Sequence, residues 1–517
     1  MIGKLGLQTT TRNGWSRLLV AGACAVAASA GSAGETVKSG AQPAASAAAT
    51  AAAIPAFPSG FDWPANPSTI EKGIARRDWP VLRKHAWNLW AGINVKSPDG
   101  KPLWWSWPTS TPAFYNSTPS PTLAASASAP GKARSLKHRN HINTPIQLNG
   151  PVYPPPVIDG ETCKTGNPGT EKDPNSLPDG TQFQSNGDIM IAGVIYNRDA
   201  FDWIRGQSLY KASTLDAQLN AGTRNIAPFP ANAIVLKHMY WPARGDGPTA
   251  LPVWHPEKYP ARDRNYVGYE LWKDAVAIDV SGKPVAPNTF IEVEYLHHIL
   301  QSDRTSPLPV AHQKARRVSI DEFYHHRVDA AELKGMTQND RNILNASACW
   351  LFNRPFQHGD YLVSVAMHLI TKEVPDWALQ SFWWSDRPDQ GPFAADRPAI
   401  SEKKAPGPWR HYLLTLDYGI DVPAAVKPVD KAAMLPVAFN PYIELAAGHP
   451  IQTSCRNCHT RAAWPSGFPP LTPPRVPSAS YEAPGGPGPL VDVQPNNAIF
   501  KGLMRLDFQW AVSDRAK

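Results

Sequence analysis

The stretch YLVSVAMHLIT, Tyr361 to Thr371, reads as a β-strand. Several of its residues are β-branched, Asp360 precedes it and Pro375 follows it, so both ends are bounded by strand breakers. Alternation along a pleat places Ser364, Ala366 and His368 on one face and Val363, Val365, Met367 and Leu369 on the other. Working outward, Ile189–Tyr196, Ala233–Trp241, Ala275–Val280, Phe290–Tyr295 and Trp409–Asp417 are further strand candidates, while Asp199–Leu219 has helical character. The strands are irregularly spaced, with Pro-rich connections and no βαβ alternation. The expected class is therefore α+β, mainly β, with a large antiparallel, sandwich-like domain over residues 181–433.

Composition agrees with a folded, loop-rich body. The chain has 517 residues with 54 Pro, 36 Gly and 19 Trp. Proline at about twice the usual frequency implies interrupted elements and edge strands. The net charge of +8 arises from 51 basic and 43 acidic residues, a mild excess with no concentrated basic face, so nucleic acid is not an expected partner. One local cluster, Lys132, Arg134, Lys137 and Arg139, lies in a Ser/Ala/Pro-rich stretch. It reads as a solvated loop or as a docking patch for an acidic protein.

The N-terminus has the pattern of an export signal over residues 1–33. Lys4, Arg12 and Arg17 precede the apolar run Leu18–Ala30, and Ala28-Ser29-Ala30 offers a small-residue cleavage site. Reading Ala21-Gly22-Ala23-Cys24 as a lipoprotein anchor lacks a large aliphatic residue three positions before the cysteine. No stretch reaches the roughly 18 continuous apolar residues of a membrane span, so none is expected in the mature chain. The expected location is periplasmic or secreted. Residues 34–58 form a flexible tether and 59–114 a Trp-rich helical segment, in which Ser68 with Glu71 makes a capping-box pattern and Pro80 opens a second helix. Its tryptophans form either an aromatic platform for a ligand or a buried mini-core. Residues 115–180 are a Pro/Ser-rich linker, and 434–517 a C-terminal segment of different character.

That last segment contains Cys455-Arg456-Asn457-Cys458-His459. Two cysteines separated by two residues and followed by histidine form the attachment signal for covalent haem c. The thiols of Cys455 and Cys458 can each add to a vinyl group, and His459 then stands beneath the iron as the proximal ligand. A thioredoxin-like site would need a βαβ setting, and a zinc site would need more ligands nearby. Of the other cysteines, Cys24 leaves with the signal. Cys163 and Cys349 either pair in an oxidising compartment or remain as two unrelated thiols.

The pentapeptide resembles that of c-type cytochromes. Together with Asn440-Pro441-Tyr442-Ile443-Glu444 and the run CRNCHTRAAWP, it is similar to large exported bacterial mono-haem proteins. The resemblance implies one covalent haem, maturation outside the cytoplasmic membrane and a redox partner protein. It covers only the C-terminal segment. The Pro/Gly-rich stretch after His459 departs from the small cytochrome domain, so the haem is expected to lie against the β body. The ligand opposite His459 decides the function. Met504 follows at a spacing familiar from small cytochromes, or it is core packing among Phe500, Leu503, Leu506 and Phe508. His368 is the second candidate, or a hydrogen-bonded strand histidine. Three functions follow: electron transfer, a haem-dependent oxidoreductase whose β domain binds substrate, and a Trp-rich ligand-binding module with a sensory or structural haem.

Overall fold

Tyr361–Thr371 is a strand along its whole length and lies at the centre of a six-stranded sheet. The computed structural model of the chain describes residues 57–97, 100–115, 158–159, 162–163, 191–258, 272, 274–295, 311–352, 354–418, 438, 440–443, 455–465, 493 and 495–517. The residues read as an export signal with Cys24, nearly all of those read as a tether, most of 115–180 with its basic cluster, and the adjacent residues His297 and His298 lie outside the described residues.

In chain order the elements are α1 (Pro67–Arg76), α2 (Trp79–Ile93), β1 (Ile158–Asp159), β2 (Thr162–Cys163), β3 (Ile191–Tyr196), α3 (Arg198–Gly206), α4 (Ala212–Asn220), β4 (Ile234–Ala243), β5 (Thr249–Pro252), β6 (Ala275–Asp279), β7 (Phe290–Tyr295) and β8 (Ala311–Ser319). They continue with β9 (Tyr324–Arg327), α5 (Ala330–Gly335), α6 (Gln338–Phe352), β10 (Tyr361–Thr371), β11 (Ala378–Trp384), β12 (Tyr412–Asp417), α7 (Cys455–His459), β13 (Ala463–Trp464), β14 (Met504–Arg505) and α8 (Trp510–Arg515). The large sheet has the order β12-β11-β10-β4-β3, with β9 pairing the first part of β10. A second sheet has the order β5-β6-β8-β7. The class is α+β, mainly β. The large sheet is antiparallel throughout, but the second is mixed, because β6 and β8 run parallel.

The simple alternation expected for β10 does not hold along its length. Ser364 pairs with Tyr240 and Ala366 with Met239, so the register shifts at Val365. Tyr240 and Met239 are adjacent on β4 and point to opposite faces, and their partners do the same. A β-bulge thus separates Ser364 from the face that Ala366 and His368 share.

One face of the sheet is covered by the Trp-rich segment. Asp78 caps α2 by accepting from Val81 N at 3.3 Å, with Pro80 in the first turn. The helix is buried over most of its surface from Leu82 to Ile93, the pattern of a helix inside a core. Trp90 stacks on Phe382 of β11 at 4.3 Å, and Trp104 lies over His238 of β4 at 4.3 Å. Met367 pairs with both Phe382 and His238, so these contacts fall on one face. The rings of Trp87, Trp90 and Trp104 are fully buried. They form a core layer, which removes them from any exposed aromatic platform. At α1 the cap is Asn66, which accepts from Ser68 N at 3.0 Å, and Pro67 takes the first helical position; the Ser68–Glu71 capping box is therefore corrected to an Asn-Pro start.

Cys163 of β2 and Cys349 of α6 form a disulfide, with Cα atoms 5.5 Å apart and a sequence separation of 186. The link ties the short β1–β2 hairpin to α6. Replacing both cysteines by serine is expected to lower stability by about 2–4 kcal/mol, read as a lower thermal midpoint than wild type. An unchanged midpoint would show that the tie is energetically silent.

Candidate functional site

The opposite face of the sheet carries the C-terminal segment. Register defines its rows. Tyr196, Val235, Ile370, Leu379 and Asp417 form one row across five strands, and all five are buried. Cys455, Ala462, Trp464, Met504, Leu506 and Phe508 share an apolar cluster with this row. The adjacent row is polar except at its β3 end: Val194, Lys237, His368, Ser381 and Thr415. Ser381 and Thr415 are closed over, but Val194, Lys237 and His368 are only half-buried. His368 therefore stands on the face that carries the C-terminal segment, one row from the part that the segment covers.

α7 is a single turn over Cys455–His459. Its start is held by two backbone donors. Cys455 N donates to Ala438 O at 3.0 Å, and Arg456 N donates to Asp417 Oδ2 at 3.1 Å at the end of β12. An acidic acceptor at a helix start satisfies an N–H that has no partner inside the turn. Cys455 is buried, and its Sγ donates to Ala438 O at 3.2 Å. The Cys458 side chain lies outside the described residues. Arg456 and Arg461 are both buried.

His459 is half-buried, and its Nδ1 bonds to the Phe508 carbonyl oxygen at 2.8 Å. A carbonyl only accepts, so Nδ1 carries a proton, and in the neutral ring the lone pair is on Nε2. This is the tautomer and orientation that a metal-ligating histidine needs. The Phe508 carbonyl is held against the ring by a short antiparallel ladder. β13 pairs with β14 through Trp464↔Met504 and Ala463↔Arg505, and Leu506 N donates to Ala462 O at 2.9 Å. Trp464 Nε1 donates to Asp216 Oδ1 of α4 at 2.9 Å. Met504 is fully buried in this ladder.

Asp507 fixes the turn that precedes Phe508. Its Oδ2 accepts from Phe229 N at 2.8 Å, and its Oδ1 pairs with Lys372 Nζ at 2.6 Å, just past the end of β10. Burial pushes the Asp507 carboxyl pKa up, and the adjacent Lys372 ammonium opposes the shift.

The site therefore brings together Cys455, His459 and Met504, and sets His368 on the neighbouring sheet row. It adds four groups that sequence reading missed: the Ala438 carbonyl, Asp417, the Phe508 carbonyl and Asp507. Backbone acceptors leave no trace in composition. The His325-His326 pair belongs elsewhere, on β9, with His325 Nδ1 bonded to Phe323 O and His326 Nε2 to Glu332. Among the described residues no group of three or more His, Cys, Asp or Glu is placed to hold a bare metal ion, and no helix is long and apolar enough to cross a membrane. No protein-family model matches the chain, and no curated protein and no solved structure matches it. Any functional reading thus rests on this geometry and on the CxxCH stretch.

Proposed function

We propose that the chain is an exported mono-haem c-type cytochrome that transfers electrons to a partner protein outside the cytoplasmic membrane. Cys455 and Cys458 would hold the haem through thioethers, and His459 would be its axial ligand. The observation that carries this reading is the 2.8 Å bond between His459 Nδ1 and the Phe508 carbonyl. It gives the imidazole the tautomer, orientation and donor strength for ligation. Bound haem would supply a one-electron couple. The chain's own part is to fix the ring, set its basicity and surround it with apolar side chains.

Met504 and His368 differ as candidates for a second residue that would ligate the iron. The 504–508 segment meets His459 through the Phe508 carbonyl on Nδ1, and Met504 is buried with Trp464 and Leu506. We therefore assign Met504 to packing. His368 comes from a different element and is half-buried on the polar row, so it is the better candidate of the two.

Protein from a host that matures c-type cytochromes is expected to give a covalent haem signal in the pyridine haemochrome assay. The signal should vanish in the double variant Cys455→Ala, Cys458→Ala. Wild-type protein without covalent haem would end the proposal. Met504→Ala is expected to leave the axial spectrum intact while lowering stability by about 2–5 kcal/mol, whereas His368→Ala is expected to turn the ferric spectrum high-spin. The opposite pair of results would return the ligand role to Met504.

A second reading, a haem-dependent oxidoreductase, is favoured by the half-buried polar row at Lys237 and His368. A ferric spectrum in the wild type that responds to cyanide would select it over electron transfer.

A further inference from the structure

Asp507 and Phe508 both have left-handed backbone, with φ of 47° and 68°. Two successive non-glycine residues in this region are disfavoured and persist only where surrounding contacts over-determine them. Those contacts are present. Leu506 N donates to Ala462 O, and Gln509 N donates to Leu506 O at 2.9 Å, which closes the turn from both sides. Inside it, Asp507 receives Phe229 N on one oxygen and Lys372 Nζ on the other. The Lys372 ammonium is itself fixed, by the Pro375 carbonyl and by the Trp377 ring at 5.4 Å. Both members of the ion pair are largely removed from water, with side-chain exposures of 6% and 12%.

The result of this turn is the placement of one atom. With the backbone in the left-handed region at both residues, Phe508 O meets His459 Nδ1 at 2.8 Å. A buried ion pair is an uncertain source of net stability, because desolvation offsets the attraction, and it is better attested as a device that selects one geometry. We propose that the Lys372–Asp507 ion pair is a positioning element for His459. It holds the Asp507–Phe508 turn so that the Phe508 carbonyl stays hydrogen-bonded to Nδ1, and through that bond it sets the donor strength of the imidazole. The inference rests on the reading of His459 as an axial ligand.

A strong acceptor on Nδ1–H makes the imidazole a better electron donor and favours the oxidised iron. Loosening the turn weakens that bond, so the reduction potential should rise. Outer partners of a ligating histidine are typically worth ten- to a hundredfold in ligand function. The expected change is about tenfold in the ferrous-to-ferric ratio at a fixed ambient potential, which for a one-electron couple is about 59 mV.

The test uses full-length haem-loaded protein and compares wild type with Lys372→Met, Asp507→Asn and Lys372→Arg by redox titration, with covalent haem and thermal unfolding followed in parallel. Lys372→Met and Asp507→Asn should raise the potential, while Lys372→Arg, which keeps the charge pair, should stay near wild type. A merely structural role would lower the unfolding temperature of the first two and leave the potential where it was, and that result overturns the inference while leaving the haem assignment standing. Wild-type protein without covalent haem overturns both. If Asp507→Asn does not accumulate folded, Lys372→Met carries the comparison against Lys372→Arg.

Discussion

Acidification from about pH 6 to about pH 4 is expected to remove about 2–3 kcal/mol of folding stability through His238 alone. His238 is fully buried in β4 beneath Trp104 and stacked against Tyr240, with ring centroids 5.9 Å apart. Neither of its ring nitrogens has a hydrogen-bond partner. Burial alone pushes its pKa down from 6.5 to about 3. The folded state thus keeps the ring neutral where the unfolded chain would protonate it. Below the unfolded pKa the unfolded state binds more protons, and stability falls with pH until the folded pKa is reached. His238→Leu, close in volume and without a titrating group, should lose this part of the acid dependence. Urea unfolding of both proteins at the two pH values gives the difference directly. Equal losses in wild type and variant would show that His238 is reached by protons without unfolding.

Trp90→Ala is expected to lower stability by about 3–5 kcal/mol, a large share of the roughly 5–15 kcal/mol that a folded protein has in total. Trp90 is the ring where the helical layer and the sheet interlock. It stacks on Phe382, lies 5.1 Å from Tyr412, meets Tyr324 edge-on at 6.0 Å, and donates from Nε1 to Trp409 O at 3.1 Å. Truncation opens a void beneath α2 and leaves a buried carbonyl without its indole donor. Trp90→Phe should recover most of the packing but not the hydrogen bond, and so fall between the two. A thermal midpoint for Trp90→Ala within a degree or two of wild type would mean that the layer collapses to fill the void.

Strands with a β-branched, bounded signature were legible before any coordinates. Tyr361–Thr371 and Phe290–Tyr295 have the ends read from sequence, and Ile191–Tyr196 and Ile234–Ala243 differ by a residue or two. The expected helical stretch Asp199–Leu219 is broken into α3 and α4 by Ser208, which has φ 52°. β8, with the sequence AHQKARRVS, carries too many charges to read as a strand. It forms because β6 and β7 offer it paired edges on both sides. Its parallel pairing with β6 is long-range and has no local signal. α6 was missed for a similar reason. Its sequence QNDRNILNASACWLF is rich in Asn and Ser, which favour turns, and it is helical through burial of Ile343, Leu344, Ala348 and Cys349. The bulge at Val365 was equally hidden, because a one-residue slip among apolar side chains does not alter their composition.

At the site the pattern was the reverse. Cys455, Cys458 and His459 are local and legible as a motif, since haem attachment would require that spacing. What orients them is not local. Asp507 and Lys372 are 135 residues apart, and Asp417 lies 39 residues before the N–H it accepts. The C-terminal segment packs on the β body through the cluster that joins Cys455 to Val235, Ile370 and Leu379, a contact between distant parts of the chain that no local pattern announces. The alternation argument for His368 gave its face correctly relative to Ala366 but not to Ser364, because the bulge lies between them.

The burial of Cys455 also bears on how such a protein is built. Its sulfur faces the Ala438 carbonyl beneath the docked C-terminal segment, so a finished fold shields it from bulky reactants. For a thioether-bound cofactor this dictates an assembly line: covalent loading comes while the tail is still open, and docking onto β12 follows. The disulfide between Cys163 and Cys349 draws on residues outside that tail and can close at either stage. Under the proposed haem assignment, biogenesis would thus have one step that is order-sensitive and one that is not, and a chain that closed its tail first would be a dead end.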